Sequence, residues 1–291
     1  MDLLLIDANN IGYASMYMPA LSLLSHNGQA TGGILGVLQS TIRLINKFPD
    51  TVPILLWDGH AAWRKELCPE YKENRKDEAK LAVAESWERQ RAIASALFLH
   101  LGILQVRAAD AEADDLAGFL ARAAHVEDSG IDHVILASAD TDWWQAISEK
   151  VWWFSPIKDR KVTLEDLATD AVKDGPFQSP SEYLDAKVIA GDTSDNIPGV
   201  AGVGIKTACK LLRQYGGLSG ICDAVARGEA KDKRSQAIAA AQTQIARNRQ
   251  IMDWTLAPPI CPSSLGIARD PFDWKSFSDL AREYGLQRLL D

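Results

Sequence analysis

Three short apolar runs that each lead into an aspartate limit the folds open to this chain. They occupy residues 3–7 (LLLID), 53–58 (PILLWD) and 133–140 (HVILASAD), and stretches with helical spacing of apolar residues lie between them. Continuous apolar runs of this length are typical of strands that are buried on both faces of a parallel sheet. Because predicted strands alternate with predicted helices, we expect an α/β fold with a mostly parallel central sheet flanked by helices.

The acids at the ends of these strands are predicted to meet. In a parallel α/β sheet the functional crevice lies beyond the C-terminal ends of the strands. Asp7, Asp58, Asp140 and Asp142 are therefore expected to gather in one crevice. Aspartate is a frequent loop residue after a strand, so one such case would carry little weight, whereas three consecutive strand ends carry much more.

A further group of acids opens the predicted helix in the segment DAEADDLAGFLARAA. Glu112, Asp114 and Asp115 lie in or next to its first turn, where the helix dipole favours negative charge. Helix capping accounts for one or two of these acids but not for the whole group. We therefore expect the group to contribute to the same crevice.

An acidic turn, GDTSDN, lies within residues 189–215. Asp192 and Asp195 are three residues apart, so on a helical turn their carboxylates would point the same way. A polar turn capped by an aspartate would explain the same letters, because Gly, Ser, Asp and Asn are common turn residues.

A glycine-punctuated loop, PGVAGVGIKTA, follows directly. Gly199, Gly202 and Gly204 allow backbone N–H groups to approach a partner, and a helix is predicted to start near Lys206. The positive end of the helix dipole and the charge of Lys206 and Lys210 suit a phosphate. A carboxylate pair beside a phosphate-binding loop indicates metal-assisted chemistry on a phosphodiester.

The most polar part of the chain precedes the EADD group and carries four cations that would share one face of a helix starting at Tyr71. They are Lys72, Arg75, Lys76 and Lys80. Acids are mixed among them, so a solvated surface helix with i,i+4 ion pairs is the alternative to a cationic face that meets a nucleic-acid strand.

The charge balance restricts how nucleic acid could be bound. The chain has 31 Lys and Arg against 39 Asp and Glu, a net charge of −8, which is the wrong sign for a generic nucleic-acid binder. The acids must then be concentrated in one place and the basic residues in another. The four cysteines lack CxxC pairing and the five histidines lack metal-ligand spacing, which argues for a reducing compartment and against a zinc site.

The acidic turn and the glycine loop in this order resemble the 5′-nuclease family of flap endonucleases and 5′→3′ exonucleases. In that family a GDxSDN-type turn precedes a helix–three-turn–helix element that grips duplex DNA. EADD at 112–115 and DTD at 140–142 also resemble family motifs, and WRKEL with YKENRK is similar to the helical arch of free-standing phage-type members. The resemblance covers about residues 3–216.

The resemblance implies a PIN-like 5′-nuclease core organised as a single unit. Residues 1–184 are expected to form the metal-binding core, with the arch at about 60–92, and residues 185–291 the helix–three-turn–helix region and C-terminal helices. Lys72 and Arg75 match the arch positions that contact the scissile phosphate. Other DNA contacts are expected at Arg64, Lys65, Tyr71 (stacked on a base, or packed in the protein), Lys76, Gly199, Gly202, Gly204, Lys206, Thr207 and Lys210.

So many carboxylates in one crevice would repel each other unless a cation lies between them. Carboxylate and water ligands suit Mg²⁺ or Mn²⁺, and two such ions would serve an in-line displacement at phosphorus. By the resemblance, one ion is assigned to Asp7, Asp58, Glu112 and Asp114, and the other to Asp115, Asp140, Asp142, Asp192 and Asp195. The resemblance also places K⁺ at the helix–three-turn–helix loop.

The predicted function is that of a metal-dependent 5′→3′ exonuclease or structure-specific flap endonuclease. Its expected partner is duplex DNA with a 5′ end or 5′ flap, with RNA primers paired to DNA as further substrates, and it is expected to act as a monomer. No membrane contact and no small-molecule substrate are expected, and the predicted location is the cytosol, that of the host if a phage encodes the chain. A PIN-type ribonuclease and a DNA-structure-binding protein without nuclease activity are the alternatives.

Overall fold

The three apolar runs form neighbouring parallel strands at the centre of the molecule. The computed structural model describes residues 1–75, 78–169, 172 and 174–290. Its strands are β1 (Asp2–Asp7), β2 (Ser25–His26), β3 (Gln29–Ala30), β4 (Thr51–Trp57), β5 (Leu104–Ala108), β6 (Val134–Ala137), β7 (Val151–Ser155), β8 (Arg160–Val162) and β9 (Leu265–Ala268).

Helices cover both faces of this sheet and form most of the chain after residue 178. They are α1 (Ala8–Met16), α2 (Pro19–Ser22), α3 (Gly32–Lys47), α4 (Ala62–Leu67), α5 (Glu78–His100), α6 (Ala113–Ala123), α7 (Leu164–Leu167), α8 (Pro180–Ala190), α9 (Ile205–Tyr215), α10 (Leu218–Ala226), α11 (Lys233–Ala240), α12 (Gln242–Met252) and α13 (Trp274–Glu283). Short 3₁₀ turns occur at Glu73–Arg75, Thr141–Ala146, Pro262–Ser264 and Gln287–Leu289.

The central sheet has the strand order β8-β7-β6-β1-β4-β5-β9 among the described residues. Strands β7, β6, β1, β4 and β5 run parallel, and the edge strands β8 and β9 are antiparallel to their neighbours. The predicted α/β fold with a mostly parallel sheet is therefore confirmed. The acidic ends of β6, β1 and β4 lie side by side, because these three strands are adjacent in the sheet.

Two hydrophobic clusters, one on each face of the sheet, explain why β1 is apolar at successive positions. Leu3 and Leu5 belong to the cluster that includes α6, α8 and α9, whereas Leu4 and Ile6 belong to the cluster that includes α1, α3 and α5. All four side chains are buried. A strand with cores on both faces has no solvent face on which to place polar residues.

The C-terminal helices are short. Helices α11 and α12 are separated at Ala241. Helix α13 ends at Glu283, because Gly285 adopts φ +67, a left-handed conformation that stops a helix. Within the described ranges, no helix combines the length and the apolar character required to cross a bilayer.

Candidate metal and nucleic-acid site

An acid-lined cavity of about 480 Å³ opens where the central strands end. We call it the carboxylate cavity. Six of the nine predicted metal ligands line it, and they come from β1, from the segments after β4, β5 and β6, and from the GDTSDN turn: Asp7, Asp58, Glu112, Asp114, Asp140 and Asp195. The parallel order of the strands thus brings together acids that are far apart in sequence.

Asp7 lies at the end of β1 and caps the following helix α1. Its carboxylate accepts hydrogen bonds from Asn10 N (3.0 Å) and from Ser138 Oγ (2.8 Å). Burial, with repulsion from Asp58, raises the pKa of Asp7 from about 4 to about 7. These two hydrogen bonds therefore do not offset the cost of keeping a negative charge in the protein interior.

Asp58 is fixed by contacts to its backbone and its side chain. Its backbone carbonyl accepts from Arg91 (3.1 Å) and Arg107 (3.0 Å), and its carboxylate accepts from Ala113 N (2.8 Å) at the start of α6. The end of β4 is thereby held against the helix that carries Asp114. This arrangement sets the distance between two walls of the carboxylate cavity.

Asp114 and Asp140 are positioned by tryptophans. Trp143 Nε1 donates to Asp114 Oδ1 (2.8 Å), and Trp153 Nε1 donates to the backbone oxygen of Asp140 (3.0 Å). Burial and repulsion from Asp140 raise the pKa of Asp114. Burial also raises the pKa of Asp140, against the opposing effect of Lys187. The indole of Trp143, two residues after Thr141, thus helps to fix the position of Asp114.

The donor set of the carboxylate cavity fits a hard divalent cation. Its side-chain donors are oxygens, and the raised pKa values of Asp7, Asp114 and Asp140 reflect buried negative charge that no ion pair among the described residues relieves. Oxygen donors with uncompensated charge suit Mg²⁺ or Mn²⁺. As the side chains are placed, no three His, Cys, Asp or Glu residues in the described part of the chain converge closely enough to hold an ion.

Two cations close one side of the cavity. Lys72 Nζ lies 2.8 Å from Glu112 Oε1 and 3.9 Å from Asp195 Oδ2, and Arg75 lies 2.5 Å from Asp195 Oδ1. Burial opposes ionisation of Glu112, but Lys72 and Arg64 hold its pKa at about 2. Glu112 and Asp195 are therefore neutralised by protein cations, unlike Asp7.

The expectation of a cationic helix starting at Tyr71 is wrong. Lys72 adopts φ +57 and donates its backbone N–H to Asp195 O (2.9 Å), and a 3₁₀ turn covers Glu73–Arg75. Among the described residues, α5 covers Glu78–His100. Lys72 and Arg75 converge on Asp195 because the chain turns sharply there. Lys80 donates to Asn74 O (2.8 Å). Lys76 lies outside the described residues.

Tyr71 and Arg64 are packed inside the protein. For Tyr71 this is the second of the two alternatives that the sequence left open, and for Arg64 it corrects the expectation of a DNA contact. The Tyr71 hydroxyl donates to Glu112 Oε2 (2.9 Å) and approaches Asp195 Oδ2 (3.1 Å), and its side chain is buried. Arg64 is 3% exposed and makes a two-pronged ion pair with Asp115 at 2.6 and 2.8 Å. Neither side chain can reach a DNA strand from these positions. Lys65, in contrast, is exposed.

Asp115 is placed outside the carboxylate cavity, although it was predicted as a metal ligand. Besides Arg64, it accepts from Glu112 N (3.0 Å) and completes a capping box at the start of α6. Its carboxylate therefore closes the helix N-terminus and neutralises a buried guanidinium. Helix capping, one of the two explanations that the sequence allowed, describes this residue.

Lys187 is a site residue that the sequence analysis missed. Its ammonium group pairs with Asp142 and lies 2.7 Å from Asp192 Oδ2, while its side chain is 11% exposed. Both of these predicted metal ligands lie outside the lining of the carboxylate cavity. A lysine between Ala186 and Val188, in an otherwise apolar stretch of α8, was the available signal.

The GDTSDN segment is a tight turn and not a helical one, so the predicted parallel carboxylates do not occur. Asp192 and Ile197 form an isolated antiparallel bridge, and Asp192 Oδ1 accepts from Ser194 N (2.7 Å) and Ser194 Oγ (2.6 Å). Asp192 faces Lys187, and Asp195 faces Lys72 and Arg75. The two acids thus engage separate cations.

The glycine loop leads into α9 as predicted, with Gly204 as the residue before the helix. Gly202 has φ +73, and space around Gly204 is open, whereas a Cβ at Gly199 would lie 1.8 Å from the Ala190 carbonyl. Gly199 is therefore required for close packing against the end of α8. On α9, Lys206 and Lys210 are exposed and line an open groove of about 500 Å³, and Thr207 is half-buried beside them.

Comparisons with known proteins agree with this architecture. The sequence model described as 5′-3′ exonuclease, N-terminal resolvase-like domain, matches residues 2–174, and that described as 5′-3′ exonuclease, C-terminal SAM fold, matches residues 178–265. The DNA polymerase I of Mycobacterium tuberculosis is 29% identical over 295 residues, which cover 99% of this chain and 31% of the polymerase. The thermostable DNA polymerase I of Thermus filiformis is 33% identical over 219 residues, covering 75% of this chain and 24% of the polymerase.

Solved structures show the same fold. The 5′-exonuclease of bacteriophage T5, with divalent zinc ions bound, superposes with a TM-score of 0.74 at 23% identity and covers 100% of both chains. The flap endonuclease of the same phage, in a pseudo-enzyme–product complex with DNA and metal ions, has a TM-score of 0.70 at 25% identity and covers 87% of this chain and 89% of its own. The chain spans about a third of the length of the mycobacterial polymerase.

The raised pKa of Asp7 predicts that Asp7→Asn stabilises the metal-free protein. Unfolded Asp7 titrates near 4 and folded Asp7 near 7, so the folded state binds the proton more tightly. Stability is therefore lost as pH rises from 4 to 7, and the loss is complete above 7. In EDTA at pH 8, urea denaturation should show that the free energy of unfolding of Asp7→Asn exceeds that of wild type by on the order of 1–3 kcal/mol. The gain should shrink at pH 5.

The exposed Asp50→Asn variant is the matched control and should show no such pH-dependent gain. A lower stability of Asp7→Asn at pH 8 in EDTA would contradict the assignment of unrelieved charge to this carboxylate.

The burial of Arg64 predicts a contrast with its exposed neighbour. Arg64→Met leaves the buried Asp115 side chain without its ion-pair partner and should cost about 3–5 kcal/mol in the free energy of unfolding. Lys65→Met should change it by less than about 0.5 kcal/mol. Adding Asp115→Leu to Arg64→Met should recover part of the loss. Equal stability of the two single variants in a urea titration would refute the structural role of Arg64.

Proposed function

The chain belongs to the 5′-3′ exonuclease family, and we propose that it hydrolyses phosphodiester bonds near the 5′ ends of DNA with divalent metal ions. The observation that carries this proposal is the carboxylate cavity with Lys72 and Arg75 at its rim. We propose both 5′→3′ exonuclease and flap endonuclease action, on duplexes with a 5′ end or 5′ flap and on RNA primers paired to DNA. The proposed setting is a monomer in the cytosol.

Divalent metal is proposed because the cavity concentrates oxygen donors whose charge is not offset. Asp7, Asp58, Asp114 and Asp140 would hold an ion there, with Glu112 and Asp195 available once their cations turn to the substrate. We propose Mg²⁺ or Mn²⁺, with two ions at saturation. Bound metal supplies Lewis-acid stabilisation of the developing negative charge and an activated water. K⁺ at the loop before α9 is a further proposal and rests on family resemblance alone.

Lys72 and Arg75 are well placed to meet a phosphate in the cavity. Both line it, and Arg75 has a 53% exposed side chain while Lys72 is largely covered. A phosphate that enters the cavity can pair with Lys72 and Arg75 in place of Glu112 and Asp195. The two cations would then orient the phosphate and stabilise charge on its oxygens in the transition state.

The duplex is proposed to bind along the loop before α9 and the first turns of that helix. Lys206 and Lys210 present exposed charge there, Thr207 adds a hydroxyl, and the open space around Gly202 and Gly204 lets a phosphate approach the backbone. Exposed Lys65 supplies a contact nearer the cavity. Surface lysines of this kind bind nucleic acid in a sequence-independent and salt-dependent way.

Loss of one cavity carboxylate is expected to abolish cleavage but not DNA binding. Asp140→Asn keeps the acceptor for Asp142 N and removes one negative charge. With Mg²⁺ the rate on a 5′-labelled flap duplex should fall more than about 100-fold, while a gel-shift assay in Ca²⁺ or EDTA should still show binding. Glu127→Gln, an exposed substitution, should cleave normally.

Near wild-type cleavage by Asp140→Asn would defeat the nuclease assignment at this site. Binding by wild type without any Mg²⁺-dependent product would favour the DNA-structure-binding alternative. Product lengths from flap, nicked and blunt duplexes separate exonuclease from flap cleavage.

Two glycine substitutions separate DNA approach from packing. Gly204 has φ −89 and open surroundings, so Gly204→Ala should cost at most about 1 kcal/mol and weaken duplex binding. Gly199→Ala should destabilise by more than about 2 kcal/mol, because its Cβ meets the Ala190 carbonyl. Thermal melts and fluorescence anisotropy with a labelled duplex measure the two effects. Unchanged duplex affinity of Gly204→Ala would argue against phosphate approach at this point.

A further inference from the structure

Lys187 divides the acids of the site into two electrostatic classes. Its ammonium group lies between Asp142, from the 3₁₀ turn after β6, and Asp192, from the GDTSDN turn. It is enclosed, with a side chain that is 11% exposed, and Tyr183, one turn earlier on α8, places its hydroxyl 3.4 Å from Asp142 Oδ1. Both carboxylates therefore hold the Lys187 ammonium in its position.

The acids on the other side of the site have no such partner. Asp7, Asp114 and Asp140 accept hydrogen bonds from backbone, hydroxyl and indole groups, and no described lysine, arginine or histidine forms an ion pair with them. Lys187 acts on Asp140 only at longer range. A divalent ion there meets carboxylates whose charge is unsatisfied. An ion that uses Asp142 and Asp192 must first separate them from Lys187.

We propose that Lys187 is a built-in competitor for the second divalent ion, so that the two ions bind in a fixed order and with unequal affinity. This inference rests on the proposed metal dependence. The first ion enters the group of Asp7, Asp114 and Asp140. The second binds more weakly, because its binding free energy is reduced by the loss of the Lys187 ion pairs and by the electrostatic cost of leaving an ammonium beside a new dication.

The order also has a protective consequence. Without metal, Lys187 offsets one of the two negative charges of Asp142 and Asp192, which would otherwise add in full to the repulsion in a site where Asp7 and Asp114 are already unrelieved. The second metal position therefore carries less negative charge in the resting protein and becomes available when metal is abundant. Lys187 acts on the metal ions through Asp142 and Asp192, which makes it a positioning residue.

Metal binding to DNA-free protein tests the competition. Calorimetric titration of wild type with Mn²⁺ should show a tight and a weak class of sites. Lys187→Met removes the ammonium and keeps a long side chain, so the weak class should tighten by about tenfold. The tight class should change much less, because Lys187 forms no ion pair with Asp7, Asp114 or Asp140 and acts on Asp140 only at longer range. Lys187→Arg keeps the positive charge and should resemble wild type. A weak class that is unchanged, weakened or absent in folded Lys187→Met overturns the inference.

A measurement on the unaltered chain covers the case in which Lys187→Met does not fold. Limited acetylation followed by mass spectrometry should show Lys187 protected in EDTA and several-fold more reactive in saturating Mn²⁺. Lys275, which is 87% exposed, should react equally in both. Unchanged protection of Lys187 at saturating Mn²⁺ overturns the inference.

The outcomes separate this inference from the proposed function. Wild type that takes up no Mn²⁺ and cleaves no flap duplex would reject both. Wild type that binds two ions and cleaves, with the same affinities in Lys187→Met, would reject only the competition.

Discussion

Buried negative charge at the C-terminal ends of β1, β4 and β6 is the constraint on which the rest of this structure depends. Parallel strands that are buried on both faces deliver their terminal acids to one edge, where burial disfavours ionisation. The protein offsets part of this charge with its own cations: Arg64 serves Asp115, and Lys187 serves Asp142 and Asp192. Asp7 remains without such a partner, and its pKa near 7 records the remaining cost.

The sequence was most informative where one physical rule fixed the outcome. Apolar runs ending in aspartate determined the parallel sheet and the position of Asp7 and Asp140, because strand direction alone decides which edge receives them. The sequence was least informative about which lysine and arginine side chains are buried in ion pairs and which are exposed. Arg64 and Lys65 are adjacent letters in WRKEL, yet one is buried in an ion pair and the other is exposed. That difference depends on how α4 packs against α6 and α12, which spacing along one segment does not reveal.

The same limit explains the misplaced helix after Tyr71 and the missed role of Lys187. Helical spacing favoured a continuous helix through YKENRK, but Lys72 turns into a left-handed conformation and bonds to the Asp195 carbonyl. That contact joins residues more than a hundred positions apart. Long-range backbone contacts of this kind override local periodicity, and they decide which acids face the cavity.

Helix α8 links the charge balance of the site to the loop proposed to meet DNA. Lys187 lies near its C-terminal end, and the carbonyl of Ala190 on the same helix packs so tightly on Gly199 that no side chain fits between them. Asn248 of α12 donates to the carbonyls of Val188 and Pro198 at 3.0 and 2.8 Å and fastens the loop to the helix. The cation that pairs with Asp142 and Asp192 and the loop before α9 are thus parts of one packed unit. A shift of α8 would change both, so the geometry that sets the charge of the cavity also sets where a duplex can lie.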